Sequence, residues 1–284
     1  MSSDATALLP AWLRRIVLVV LGLVVLVPCL YIVVSSFSPD LDVANGVLAP
    51  AAFTTANWTG MWSTVPLVAG LTNSLIVCGV VAVVSAVLAV GTAYVLVRFA
   101  FVGRLSFLRS LVGFQSIPGT LLLLPLFVVF SSARTYLGLD VVGTRWGLMV
   151  TYLTFGLPFA TWVMVTYIRG LPLDLEEAGL LDGLSRFGVL RRIVVPLSLP
   201  GMIVAAVFAF LLGWNDVLFA SVLTSPDNRT AAIVLQLFGA SQEGGALPLY
   251  GQVMSSSIVS ALPVVVLYLL FQRYLVGGLT GGVK

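Results

Sequence analysis

The 284-residue sequence has no histidine and, apart from the final Lys284, no lysine. The first absence excludes imidazole metal sites and imidazole acid–base chemistry. The second excludes a phosphate-binding loop within the chain, because that loop needs a glycine-rich turn followed by Lys and Ser or Thr. Any work driven by ATP therefore requires a partner that hydrolyses it. Cysteine is scarce too: Cys29 and Cys78 both lie in apolar runs and read as buried packing residues, not as a disulfide. The largest shortage is charge. Asp, Glu, Lys and Arg together make up 9% of the chain, against 60% hydrophobic residues and a mean hydropathy of +1.12. A soluble domain covers its surface with about 25% charged residues. This chain lacks that material, so lipid is the solvent for most of it.

What is present is a series of long apolar runs. They predict an all-α polytopic membrane protein, a single transmembrane domain over 1–284, with about six spans near 16–36, 71–97, 108–131, 146–168, 199–224 and 253–276. The first run reads as a span kinked at Pro28 and not as a cleaved signal. With the N-terminus inside, the outer segments hold only Arg134, Arg145 and Arg229, and every other cation is inside. The positive-inside rule then gives N-in and C-in. The net charge of +3 is this topological bias, not a nucleic-acid surface.

The inner segment between the fourth and fifth spans is the most informative. Residues 174–190 predict a short amphipathic helix in which Leu180, Leu181, Leu184 and Phe187 share one apolar stripe. Gly183 thins this helix and Gly188 ends it. Its opening is acidic, with Asp174, Glu176 and Glu177, whereas helices that lie on lipid favour basic polar faces. That points to a protein partner. A structural alternative is a capping box, with Asp174 as N-cap and Glu177 at the third helical position.

Here the sequence resembles the inner-membrane permease subunits of ATP-binding-cassette importers. Glu177, Ala178, Gly183, Ile193 and Pro196 match the spacing of that family's cytoplasmic signature, and Asp182 matches its extended form. Gly179 stands where a second Ala is usual, Leu184 replaces an Ala and Val195 replaces a Leu. Nearly the whole chain resembles the carbohydrate-importer branch, in the maltose-importer subunit type with a short N-terminus. Phe53-Thr54-Thr55-Ala56-Asn57-Trp58, Leu124-Pro125-Leu126-Phe127, Trp214-Asn215-Asp216 and the tail from Gly278 carry this likeness.

The resemblance implies a permease subunit, not itself an enzyme, in a multi-pass bacterial cytoplasmic (inner) membrane location. It forms half of a pathway for a sugar or sugar derivative. The implied partners are a second permease, two ATP-binding subunits that hold ATP and Mg, an external solute-binding protein and membrane lipid, with no nucleic acid. No cofactor belongs to this chain. Glu176, Glu177, Ala178, Gly179, Asp182, Gly183 and Phe187 would couple to the ATPase, and the tail 277–284, through Gly278, Leu279, Thr280 and Lys284, would meet it as well. The loop over 225–252 would reach the binding protein.

Asp216 is the only acidic residue inside an expected span. A charge at mid-membrane costs about 2.5–3.5 kcal/mol on insertion scales, so Asp216 faces the protein interior or a wet cavity. With Trp214 and Asn215 it offers an aromatic face and polar groups for a sugar ring, or else it is a buried structural polar group. An importer of another solute class stays open on these residues. An ion-coupled carrier fits less well, since such carriers use several intramembrane ionisable groups.

Overall fold

The computed structural model describes residues 10–48, 50, 52–240 and 249–280. Among them the only regular secondary structure is helix, with no strand. Six helical stretches are long and apolar enough to cross a membrane: Ala11–Ser36, Leu67–Arg98, Gly119–Leu137, Arg145–Arg169, Arg186–Trp214 and Tyr250–Leu275. The chain forms two compact units, one within Met1–Val65 and Leu235–Ser260, the other within Pro66–Val234 and Ala261–Lys284.

The first unit contains α1 (Ala11–Ser36), α2 (Asp40–Ala44), α3 (Ala56–Thr64) and the beginning of a long final helix, Tyr250–Thr280. Most of α1 is exposed, including Cys29, which is not buried within the chain as expected, whereas Cys78 is. The unit is held at one end of α1 by polar contacts. The Asn57 side-chain amide donates to the carbonyls of Ser36 (3.1 Å) and Ser38 (2.8 Å), and Trp58 stacks on Phe37. The Gly251 N–H donates to Asp40 at 2.7 Å, and Thr64 donates to Gln252 at 2.7 Å. Burial pushes the Asp40 carboxyl above its ordinary value, and the Gly251 N–H pulls the other way with less effect.

The second unit is built on α4 (Leu67–Arg98), α5 (Arg104–Gln115), α6 (Gly119–Leu137), α7 (Arg145–Arg169), α8 (Leu173–Leu181), α9 (Arg186–Val189), α10 (Val195–Trp214) and α11 (Leu218–Leu223). The following α12 (Ala231–Ala240) and the final helix, α13, run through both units. Three of these helices share rows of buried residues at intervals of four. On α4 the row is Val77, Val81, Ser85, Ala89 and Ala93. On α7 it is Leu148, Tyr152, Gly156, Ala160, Met164 and Ile168. On α10 it is Gly201, Ala205, Ala209 and Gly213. Lipid tails are as apolar as Leu, so helices in a bilayer associate by close packing at small residues. The glycines are placed for that. A Cβ on Gly201 would stand 2.7 Å from the Tyr167 ring, and one on Gly213 would stand 2.7 Å from Tyr152.

Two expected spans are broken. The run over 108–131 is not one helix: α5 ends at Gln115 and α6 starts at Gly119. Pro118 supplies no N–H and disfavours helical backbone at Ile117, so the ladder stops there and restarts after it. The run over 199–224 divides at Asn215–Val217, where α10 ends and α11 begins. In the other direction this span extends back to Arg186, through a single wide turn at Leu190–Val194 with i→i+5 bonding.

Candidate functional site

The segment between α7 and α10 is two helices, not the one expected over 174–190. At the end of α8 the Leu184 N–H donates to the Gly179 carbonyl (3.0 Å) and the Gly183 N–H to the Leu180 carbonyl (3.1 Å). This pair of bonds is the Schellman stop, and it places Gly183 at φ +85°, where an L side chain is disfavoured. Gly183 therefore ends the helix, and Gly188 does not. Gly188 lies inside α9, donating its N–H to the Ser185 hydroxyl that caps α9 at 3.1 Å. The stop and the restart are adjacent, so α8 and α9 meet at a tight corner spanning Asp182 to Ser185.

The expected capping box is absent as well. Helix α8 starts at Leu173 behind Pro172 with no side-chain cap, and Asp174 lies in its first turn. The apolar stripe also splits. Leu184 turns inward with Val189 and Leu180, whereas Leu181 is 89% exposed and Phe187 is 70% exposed. Glu177, Ala178 and Asp182 are exposed beside them. Gly179 is buried, and a Cβ there would meet Ile193 of the wide turn at 2.5 Å, which accounts for glycine at this position.

Glu176 is placed differently from its neighbour. It is buried, and its carboxylate pairs with Arg98 at 2.8 Å, the two side chains retaining 5% and 9% exposure. The same guanidinium donates to the carbonyls of Ile168 and Leu171, each at 3.2 Å. Glu176 is thus an internal tie and not a group offered to a partner. Arg98 is the participant that sequence reading missed. The only signal for it was a charge at the end of an apolar run.

The second site is a cavity of about 720 Å³ between α5, α7 and α10. Phe114, Phe155, Phe159 and Phe208 line it, with the amides of Gln115 and Asn215. Of the three residues expected here, Asn215 and Asp216 reach the cavity and Trp214 does not. Trp214 is buried and stacks on Phe210, with centroids 5.2 Å apart. Asn215 donates to the Leu211 carbonyl at 2.9 Å. Asp216 accepts from the Tyr152 hydroxyl (2.8 Å) and from the N–H groups of Ala220 (2.9 Å) and Phe219 (3.3 Å). Its carboxylate holds the start of α11 to α7, which is the structural use left open by the sequence. The phenylalanines of the cavity were visible only as apolar residues among many.

Gly278, Leu279 and Thr280 close α13, but their side chains lie outside the described residues, as does Lys284. Residues 241–248 of the expected outer loop lie outside them as well.

Residues 80–280 match the family described as the binding-protein-dependent transport system inner membrane component. The chain is 37% identical over 221 residues to the inner membrane ABC transporter permease protein YcjP of Escherichia coli, covering 77% of this chain and 75% of that protein. It is 31% identical to the trehalose/maltose transport system permease protein MalG of Thermococcus litoralis, covering 95% and 96%. It is also 31% identical to the trehalose transport system permease protein SugB of Mycobacterium tuberculosis, covering 90% and 91%. A chain of the bacterial ABC transporter that imports the acidic polysaccharide alginate has the same fold, with a TM-score of 0.77 at 20% identity, over 92% of this chain and 95% of that one. This chain is a multi-pass inner-membrane permease and belongs to the family of binding-protein-dependent transport system inner membrane components.

Proposed function

We propose that the chain is one permease half of an ATP-driven importer for a sugar or sugar derivative, with its N- and C-termini in the cytoplasm. A second permease completes the pathway, two separate subunits hydrolyse ATP, and an external binding protein delivers the solute. The corner between α8 and α9 is the coupling element. The observation that carries this is the pairing of exposed Leu181 and Phe187 with exposed Glu177 on a corner whose own hydrogen bonds are satisfied. Large exposed apolar side chains beside the exposed carboxylates of Glu177 and Asp182 on a stiff corner suit a cleft with an apolar floor and a basic rim.

A sugar is favoured by the names of the relatives and by the cavity. Aromatic faces with amide groups suit a neutral, hydroxylated ring. Asp216 is already held by three donors, so the cavity offers no uncommitted charge of the kind an ion-coupled carrier uses. The test is uptake of trehalose, maltose and an alginate oligosaccharide into vesicles holding the complete complex. Glu177→Ala with Phe187→Ala is expected to abolish uptake and its stimulation of ATP hydrolysis while the pathway folds normally. Uptake at the wild-type rate in that variant overturns the coupling assignment.

A further inference from the structure

We infer that the last turn of α4 acts as a third arm of the coupling corner, with Arg98 as its positioning residue. The inference rests on the reading of α8–α9 as the coupling element. The backbone joins that corner to two helices only: α7 through the turn at Gly170–Pro172, and α10 through the wide turn at Leu190–Val194. Helix α4 is remote in sequence, with 78 residues separating Arg98 from Glu176. Yet its last turn holds both arms of the corner.

Arg98 reaches α8 through Glu176 at 2.8 Å and fastens the end of α7 through the carbonyls of Ile168 and Leu171. One residue further, the Phe99 ring lies 5.8 Å beneath the Arg186 guanidinium of α9. Phe99 is in turn braced edge-on by Tyr94, with centroids 5.9 Å apart. The contact surface is continuous: Tyr94 and Leu96 lie in the same buried cluster as Ile168, Val189 and Val194.

A push on the corner travels to α7 and α10 along the chain itself. It reaches α4 through the buried rows that the three helices share and, at the corner itself, through these side chains. A guanidinium whose Nε bonds a carboxylate while its Nη2 bonds two carbonyls is fixed in orientation in a way that a single ammonium contact is not. Arg98 therefore makes α4 tilt together with α8, so that three membrane helices move as one when the ATPases close. Without it, the last turn of α4 keeps only apolar and aromatic contacts to the corner, and part of the motion is lost there.

The experiment measures solute molecules imported per ATP hydrolysed, per assembled complex, in reconstituted vesicles. Arg98→Gln with Glu176→Gln removes both charges together and leaves amides that hydrogen-bond to each other. This double variant is expected to assemble, to keep basal ATP hydrolysis and to lose at least about fivefold in the import ratio. Arg98→Lys is expected to recover part of the ratio. A role in folding alone would lower the amount of complex and leave the ratio unchanged, and that result overturns the inference.

Should the double variant not assemble, Arg186→Gln with Phe99→Leu, at exposed positions, carries the test with an expected loss of about twofold; an unchanged ratio there is equally fatal. If Glu177→Ala with Phe187→Ala uncouples transport and the Arg98 variants do not, this inference alone falls. If neither set uncouples, the coupling assignment falls with it.

Discussion

Gly183 and Gly188 are five residues apart in one short segment, and the structure gives them opposite responses to the same substitution. At Gly183 a Cβ meets nothing within 4 Å, so the cost of Gly183→Ala is conformational. The backbone stands at φ +85°, and placing an L side chain in the left-handed region costs about 1–2 kcal/mol. Gly188 is helical, and a Cβ there makes ordinary contacts of 3.4 Å with Leu184 and Ser185. Gly188→Ala is expected to be neutral or to gain up to about 1 kcal/mol, because glycine in a helix interior is that much poorer than alanine.

Amide hydrogen exchange on the complex in lipid nanodiscs reads both changes locally. In Gly183→Ala the amides of Asp182 and Leu184, which bond to Ala178 and Gly179, should exchange about 5–30-fold faster, the factor that 1–2 kcal/mol represents. In Gly188→Ala they should exchange at the original rate or more slowly. Unchanged exchange in the first variant, or equal acceleration in both, would refute the Schellman stop and restore the single helix that the sequence suggested.

Asp216→Ala removes the acceptor for Tyr152 and two backbone N–H groups, each hydrogen bond to a charged group contributing about 1.5–3 kcal/mol; a lower unfolding temperature of the detergent-solubilised permease checks it. Asp216→Asn keeps one acceptor oxygen and is expected to leave the half-saturating solute concentration for uptake unchanged. At Asp40 burial outweighs the Gly251 N–H, so the folded state holds the carboxyl proton more tightly than the unfolded chain does. Its effect on stability therefore worsens as pH rises from the ordinary value of 3.8 through the raised one, then levels off. Asp40→Asn keeps an oxygen for Gly251 and should remove this component, flattening the unfolding temperature between about pH 3 and pH 7.

The membrane spans were legible because hydropathy sums over many residues and tolerates local error. Their interruptions were not, because a proline such as Pro118 barely alters the hydropathy of the run around it while it removes a ladder bond outright. The coupling corner was legible as a place but not as a shape. Both Gly183 and Gly188 stood at positions compatible with ending a helix, and only the dihedral angles distinguish them. Glu176 and Glu177 were alike in sequence, adjacent and acidic. Which one faces inward is decided by Arg98, and nothing local announces a partner 78 residues away. Trp214 carried an aromatic signature suited to a sugar, yet the helical turn that exposes Asn215 to the cavity directs Trp214 onto Phe210.

The two tyrosine–glycine notches have a consequence for how this permease can move. Tyr167 fills the gap at Gly201, and Tyr152 fills the gap at Gly213. The first pair is the later one on α7 and the earlier one on α10, so the helices run in opposite senses and are pinned at both ends of a stretch about 18–22 Å long, at 1.5 Å per residue. A rod pinned twice cannot ratchet by a turn, and it cannot spin about its own axis without lifting a ring out of its seat. What is left to the pair is leaning together, like two slats riveted at top and bottom.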